Sequence, residues 1–253
     1  TSQLSHYFPS DYDRISSRDI DCEWIKKNNY ENIYILFAEQ RTFLNENEDF
    51  FTKINVDYKL KIIDELKNYC KKIIVYSTSE LWNNCLGPVD LTVPFNYNYT
   101  PYIKSNEIFS NIINNNKEKY KNIHIVYSFN FNSPFRKDGF LFSKVFDCII
   151  NKNKITIGDV NILRDIVHPS VIVSNSLDTN NDLMIGLGHL INIKNFILDL
   201  MKLSNMEYND YIIEDIGGSN FNIRKEYYSK IKYSCYEELL KLTNYDIRNY
   251  KIS

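Results

Sequence analysis

Glycine is missing from the first third of this chain. Of seven glycines in 253 residues the earliest is Gly87. That excludes a complete glycine-rich phosphate turn near the start, because only glycine adopts positive φ and admits close backbone approach at little cost. Alanine occurs once, at Ala38, while Asn, Lys, Ile and Tyr are abundant. An AT-rich genome would produce such a bias, so the asparagine patches are read as codon bias and not as a functional signal. The five cysteines, Cys22, Cys70, Cys85, Cys148 and Cys235, are odd in number, widely spaced and without a CxxC pair. They argue against a disulfide framework and for buried free thiols in a reducing compartment. The four histidines include no pair at ligand spacing, so no zinc site is expected. With a net charge of −2 there is no electrostatic case for a nucleic-acid partner or an anionic membrane. No apolar run nears the roughly 18 to 20 residues that span a bilayer, and no signal peptide is recognisable. A cytoplasmic protein is expected.

What is present is enough apolar material, 43%, for a substantial core. The length fits one large domain, or one domain with a small appendage. From residue 12 to about 130, short apolar runs alternate with longer helical patterns. Asn32–Phe37, Lys72–Tyr76 and Ile123–Tyr127 read as buried strands. Residues 49–70 read as one long helix, with Phe51, Ile54, Tyr58, Ile62, Leu66 and Tyr69 recurring every three or four positions. Residues 100–117 read as a second, with Pro101 in its first turn. This alternation predicts an α/β fold with a parallel sheet covered on both faces. Beyond residue 130 the rhythm loosens. Helices are expected over 140–151, 192–203 and 236–242, and short strands over 154–157 and 183–185. The chain is thus divided into a core, 1–130, and a smaller C-terminal lobe, 131–253, some of whose segments return to the core.

One pair of motifs suggests a reaction. Tyr76-Ser77-Thr78-Ser79-Glu80 ends a buried strand, and Thr100-Pro101-Tyr102 opens the next long helix. Ligands in parallel sheets sit outside the C-terminal strand ends, where Ser77 and Thr78 fall. So do residues 38–42 after the earlier strand and 128–130 after the later one. A hydroxyl there and a tyrosine on the next helix can move a proton at a carbinol oxygen while a nicotinamide gives or takes hydride. The missing glycines leave two readings open. Either the chain binds no dinucleotide, or its first strand and first glycine lie upstream of Thr1, and residues 1–5 are the remainder of a degenerate turn.

With these motifs in place the chain resembles the extended short-chain dehydrogenase/reductases, in their nucleotide-sugar epimerase, dehydratase and reductase branch. The resemblance runs from Thr1 to about Asp215. Residues 1–5 resemble a Gly-Gln-Leu-Gly turn with both glycines replaced by serine. Residues 17–21 resemble the segment that meets the adenosine ribose. Residues 37–42 resemble the loop beside the cofactor, and Asn55-Val56 resembles the Asn-Val of the long helix. Ser77 to Trp82 is similar to the Ser-Thr-Asp-Glu-Val-Tyr of sugar 4,6-dehydratases, with Ser79 where the acid stands. Pro101-Tyr102 matches the family's Pro-Tyr, with Asn106 at the position of its lysine. Phe129-Asn130 and Arg164-Asp165-Ile166-Val167-His168 resemble its substrate segments.

The resemblance implies a Rossmann-like doubly wound parallel sheet, with a substrate-binding lobe formed by the C-terminal part. The cofactor would be NADP or NAD, contacted by Ser2, Gln3, Leu4, Arg18, Ala38, Gln40, Asn55 and Asn106. Arg18 would meet a 2′-phosphate, tilting the choice to NADP. Tyr102 would be general acid or base, Thr78 would steady the reacting oxygen, and Glu80 would be a second base. Asn130 and Arg164 would hold a nucleotide sugar, the guanidinium fork gripping its diphosphate. The loss of the lysine makes Tyr102 harder to ionise, since a phenol of pKa about 10 lacks the cation that would favour its phenolate. The activity implied is oxidoreduction or epimerisation at a ring carbon, with elimination disfavoured by Ser79. The other reading is a nucleotide-sugar or dinucleotide binding protein with weakened or lost catalysis. The family's dimers suggest a homodimer through helices 49–70 and 100–117. His168 is expected to be structural.

Overall fold

The computed structural model describes residues 3–41, 46–135, 140–215 and 226–250. They form two compact units, one of Thr1–Asn84, Leu91–Ser128 and Val173–Met184, the other of Cys85–Asp90, Phe129–Ile172 and Ile185–Ser253.

The first unit is organised on a sheet whose strands lie in the order β1 (Asn32–Ile35), β2 (Lys72–Thr78), β3 (Ile123–Ser128), β4 (Leu183–Ile185). β1 and β3 both run parallel to β2. β2 is buried from Lys72 to Tyr76, as expected of a central strand covered on both faces. Side chains alternate between those faces. On one, Tyr34 and Tyr76 meet the ring of Phe8, and their hydroxyls reach Leu177 O and Ser176 Oγ. On the other, Ser77 reaches the helix that carries Tyr102.

A helix, α1 (Cys22–Lys27), precedes β1, and α2 (Glu48–Thr52), α3 (Lys59–Leu66) and α4 (Pro101–Asn115) lie between the strands. α1 begins where Asp21 accepts from the amides of Glu23 and Trp24, and α2 where Asn47 caps Phe50. In α4 Thr100 caps Ile103 and Pro101 takes the first turn.

Between α2 and α3 lies a π-helical segment, Lys53–Tyr58. It corrects the reading of residues 49–70 as one regular helix. A π turn is wider than an α turn, so the buried face is not the simple series of the sequence. Asn55, Val56 and Lys59 are buried, whereas Ile54 and Tyr58 are half-buried and Tyr69 is exposed. The helix also stops at Leu66. Asn122 donates to the carbonyls of Lys67 and Cys70, at 2.8 and 3.2 Å, holding that stretch as a turn that leads into β2. The strand expected over 32–37 ends at Ile35, while β2 runs two residues longer than expected, to Thr78.

The second unit has an apolar core of Phe142, Phe146, Phe196, Ile197, Leu200 and Leu239 with their neighbours. α5 (Leu141–Asn151), α6 (Ile193–Leu203) and α7 (Tyr236–Asn249) supply most of it. α6 buries Ile193, Phe196, Ile197, Leu200 and Met201, the stripe of an amphipathic helix. α7 extends seven residues past the expected end, with Thr243 and Ile247 buried along it. Two-stranded pairings complete the unit, including Asn130–Phe131 with Ile166–Val167 and Leu163–Arg164 with Ile191–Asn192. Of the five cysteines only Cys148 is buried, contrary to the expectation for the set. Among the described residues no helix is long and apolar enough to cross a membrane.

Candidate functional site

The end of β2 and the start of α4 carry the groups of the first unit that the sequence marks out for a reaction. Thr78 is buried, and its Oγ1 accepts from Glu80 N at 3.1 Å. That cap uses a lone pair and leaves the hydroxyl hydrogen available to donate. Glu80 accepts from Asn83 Nδ2 at 3.0 Å, which orients its carboxylate. Tyr102 lies half-buried in the first turn of α4, its ring edge-on to Phe51 at 6.4 Å.

Asn106 sits one turn further on and is 1% exposed. Its Nδ2 donates to Tyr102 O at 2.8 Å, and its Oδ1 accepts from Ser77 Oγ at 3.3 Å. The amide therefore ties strand to helix and contributes no charge. Lys104 is ion-paired with Glu107 at 2.7 Å.

The loop after β1 is fastened to the same helix. Asn55, fully buried, accepts from Glu39 N at 2.8 Å and donates to Glu39 O at 3.1 Å and Ser105 Oγ at 3.0 Å. Ser105 in turn donates to Tyr102 O at 2.8 Å. Asn55 thus links the Ala38–Arg41 loop, the π turn and the tyrosine helix. Within the loop Ala38 is half-buried and Gln40 exposed. Glu39 is clasped by Arg41, whose hydrogen bonds hold the carboxyl below its ordinary range.

Gln3 and Leu4 lie on a short 3-10 helix, Gln3–Tyr7, with Leu4 buried. The Gln3 side-chain oxygen is buried without a hydrogen-bond partner. Arg18 is exposed, its amide bound to Ser16 Oγ. Ser2 and Thr42 lie outside the described residues.

In the second unit Asn130 is exposed and registers opposite Ile166, two residues from Arg164. Arg164 is half-buried, pairs across its strand with Ile191, and donates to Leu163 O at 2.7 Å. Between them Asp165 is 2% exposed and accepts from the amides of Leu187, Gly188 and Ser229, at 2.6, 3.2 and 2.9 Å. Burial outweighs these three donors and pushes its carboxyl up to about 6. Gly188 holds φ +88°, and a Cβ at Gly186 would lie 2.7 Å from Asp165 Oδ2. The knot therefore needs both glycines. His168 accepts from Ser170 N at Nδ1, which leaves Nε2 to donate to Asp246 at 3.1 Å.

Two residues escaped the sequence reading. Asp165 is one of a run of similar-looking positions, and only its three amide donors single it out. Lys59 is fully buried on α3, its Nζ 5.3 Å from the Phe109 ring centroid and 5.9 Å from that of Phe37. A 3.6-residue period puts Tyr58 on the inward face, and only the π turn brings Lys59 round into the core.

No protein-family model matches the sequence, and no curated protein matches it in sequence. Solved structures do match the fold: the chain has the Rossmann-type α/β fold seen in several nucleotide-sugar epimerases and dehydratases. UDP-N-acetylglucosamine 4-epimerase from Methanobrevibacter ruminantium superposes with a TM-score of 0.74 at 20% identity, over 92% of this chain and 81% of its own. UDP-glucose 4-epimerase from Thermotoga maritima gives 0.72 at 18%, over 90% and 82%. RMD from Pseudomonas aeruginosa, solved with NADPH, gives 0.71 at 14%, over 98% and 94%.

Proposed function

We propose that this protein is an NAD(P)-dependent enzyme of the extended short-chain dehydrogenase/reductase family, carrying out oxidoreduction or epimerisation at a ring carbon of a nucleotide-activated sugar. The observation that carries the reading is the bridge from Ser77 through Asn106 to Tyr102 O, beside a Thr78 hydroxyl that is free to donate. It couples a hydroxyl-bearing strand end to a tyrosine-bearing helix start. The fold adds weight, since its structural neighbours include an epimerase solved with UDP-glucuronic acid and NAD.

The described residues fit a dinucleotide in two respects. Gln3 and Lys59 each hold a buried polar atom without a hydrogen-bond partner, and Asn55 braces the loop after β1. Gln3, Leu4, Arg18, Ala38, Gln40 and Asn55 would hold the cofactor, with Ser2 and Asn106, and Arg18 favours NADP. Bound nicotinamide supplies the hydride donor or acceptor.

The chain's own residues do the rest. Tyr102 gives or takes the proton at the reacting oxygen, and acts most readily as an acid, because no lysine stands one turn along α4. Thr78 donates a hydrogen bond to that oxygen and steadies it as charge develops. Glu80 is the second base beside the ring. Asn130 and Arg164 bind the sugar nucleotide, the guanidinium facing its diphosphate. The protein acts in the cytoplasm as a homodimer joined through the helices of 49–70 and 100–117.

The test is a panel of nucleotide sugars and 4-keto sugars with NADH and NADPH, following nicotinamide absorbance for net reduction and product chromatography for epimerisation. Turnover of a sugar nucleotide supports the proposal. Binding without turnover would make the chain a binding protein, and neither binding nor turnover would refute the reading.

A further inference from the structure

Lys59 opens α3 directly after the π segment and is 0% exposed. Its ammonium has no hydrogen-bond partner and forms no ion pair among the described residues. The faces of Phe37 and Phe109 attract it, but such attraction recovers only part of the lost hydration. For folding alone, methionine would serve better at this position. A costly, unsatisfied charge calls for a use.

Its surroundings indicate one. Phe37 leads into the Ala38–Arg41 loop, and Asn55, one turn before Lys59, binds that loop to the tyrosine helix. A π turn inside an α-helix is itself frequent at functional sites. The other bases nearby are already neutralised, Arg41 by Glu39 and Lys104 by Glu107, while Lys53 and Lys61 on the same helical stretch are exposed to solvent. Among the described residues Lys59 is therefore a cation whose field is neither paired nor screened by water where these elements meet.

We propose that Lys59 is the charge-supplying positioning residue of the dinucleotide site, setting a positive potential around the Phe37–Arg41 loop that favours the anionic cofactor. It acts from inside the protein and needs no contact with the ligand. The inference rests on the dinucleotide reading above and places the missing cation of α4 on the neighbouring helix.

The test uses the full chain with Lys59→Met and Lys59→Arg. Fluorescence titration gives the dissociation constants of NADH and NADPH, adenosine serves as an uncharged probe, and thermal melts report the fold. Lys59→Met should melt higher than the natural protein while both dinucleotides bind about tenfold more weakly, with adenosine unaffected. Lys59→Arg should keep dinucleotide binding within about threefold. Unchanged dinucleotide binding in Lys59→Met would overturn the proposal. So would a lower melting point together with equal losses for adenosine and dinucleotide, which would mean that the lysine merely supports the fold. If the natural protein bound neither dinucleotide, the functional reading itself would fall, and the inference with it.

Discussion

Replacing Lys59 by methionine should stabilise the protein, and by an amount that depends on pH in a defined way. Burial lowers the Lys59 pKa from 10.5 to about 8, which corresponds to roughly 3 kcal/mol against the charged form. The ring faces of Phe37 and Phe109 offset on the order of 1 kcal/mol of this. The substitution should therefore gain about 2 kcal/mol at neutral pH, or roughly 4 to 8 °C in melting temperature for a protein of this size. The direction with pH follows from linkage. The folded pKa is depressed, so the native state binds the proton less readily than the unfolded chain. Below about 8 both states are charged and the penalty is complete. Between that value and 10.5 only the unfolded chain holds the proton, so the natural protein gains stability as pH rises. Paired melts at about pH 7 and about pH 10 should show a clear gap that closes at the higher value. Other titrating groups are common to both proteins and cancel in the difference. A variant that melts below the natural protein, or a gap unaltered by pH, would refute the reasoning.

Asp165→Ala should destabilise the second unit by on the order of 4 kcal/mol, because it leaves three buried amide donors unmatched, and circular dichroism melts would register the loss. The Asp165 carboxyl is raised to about 6, so the native state holds its proton more tightly than the unfolded chain does. The resulting stabilisation is complete below the ordinary carboxylate value and is lost as pH rises through about 6. Relative to Asp165→Asn, the natural protein should therefore gain stability as the pH falls from about 7 to about 4. Asn55→Ala should cost roughly 2 to 4 kcal/mol by leaving the Glu39 amide and carbonyl without their partner. It should also weaken dinucleotide binding, which titration would measure; a stable variant with intact binding would contradict the bracing role.

The elements that locate the site were legible for particular reasons. Ile73-Ile74-Val75 announces β2 because a strand buried on both faces admits an unbroken apolar run. Thr100-Pro101 announces α4 because a capping hydroxyl followed by proline suits the first turn. The π segment was not legible, since a search for a 3.6-residue period assigns Ile54 and Tyr58 to the core in place of Asn55 and Lys59. Nor was the role of Asn106. From sequence it is a missing lysine, whereas in the fold its amide bonds to Ser77 and to the Tyr102 carbonyl, a use that depends on a neighbouring strand. Asp165 was passed over for the same reason: its donors, Leu187, Gly188 and Ser229, lie far along the chain.

The central claim is proton transfer by Tyr102 in a nucleotide-sugar reaction, and Tyr102→Phe tests it most directly. The substitution removes one hydroxyl and keeps the ring against Phe51. On the sugar nucleotide that the natural protein turns over, kcat should fall by about a hundredfold or more, with substrate and dinucleotide affinities and the melting temperature little changed. Turnover that persists at the natural rate in Tyr102→Phe would contradict the account.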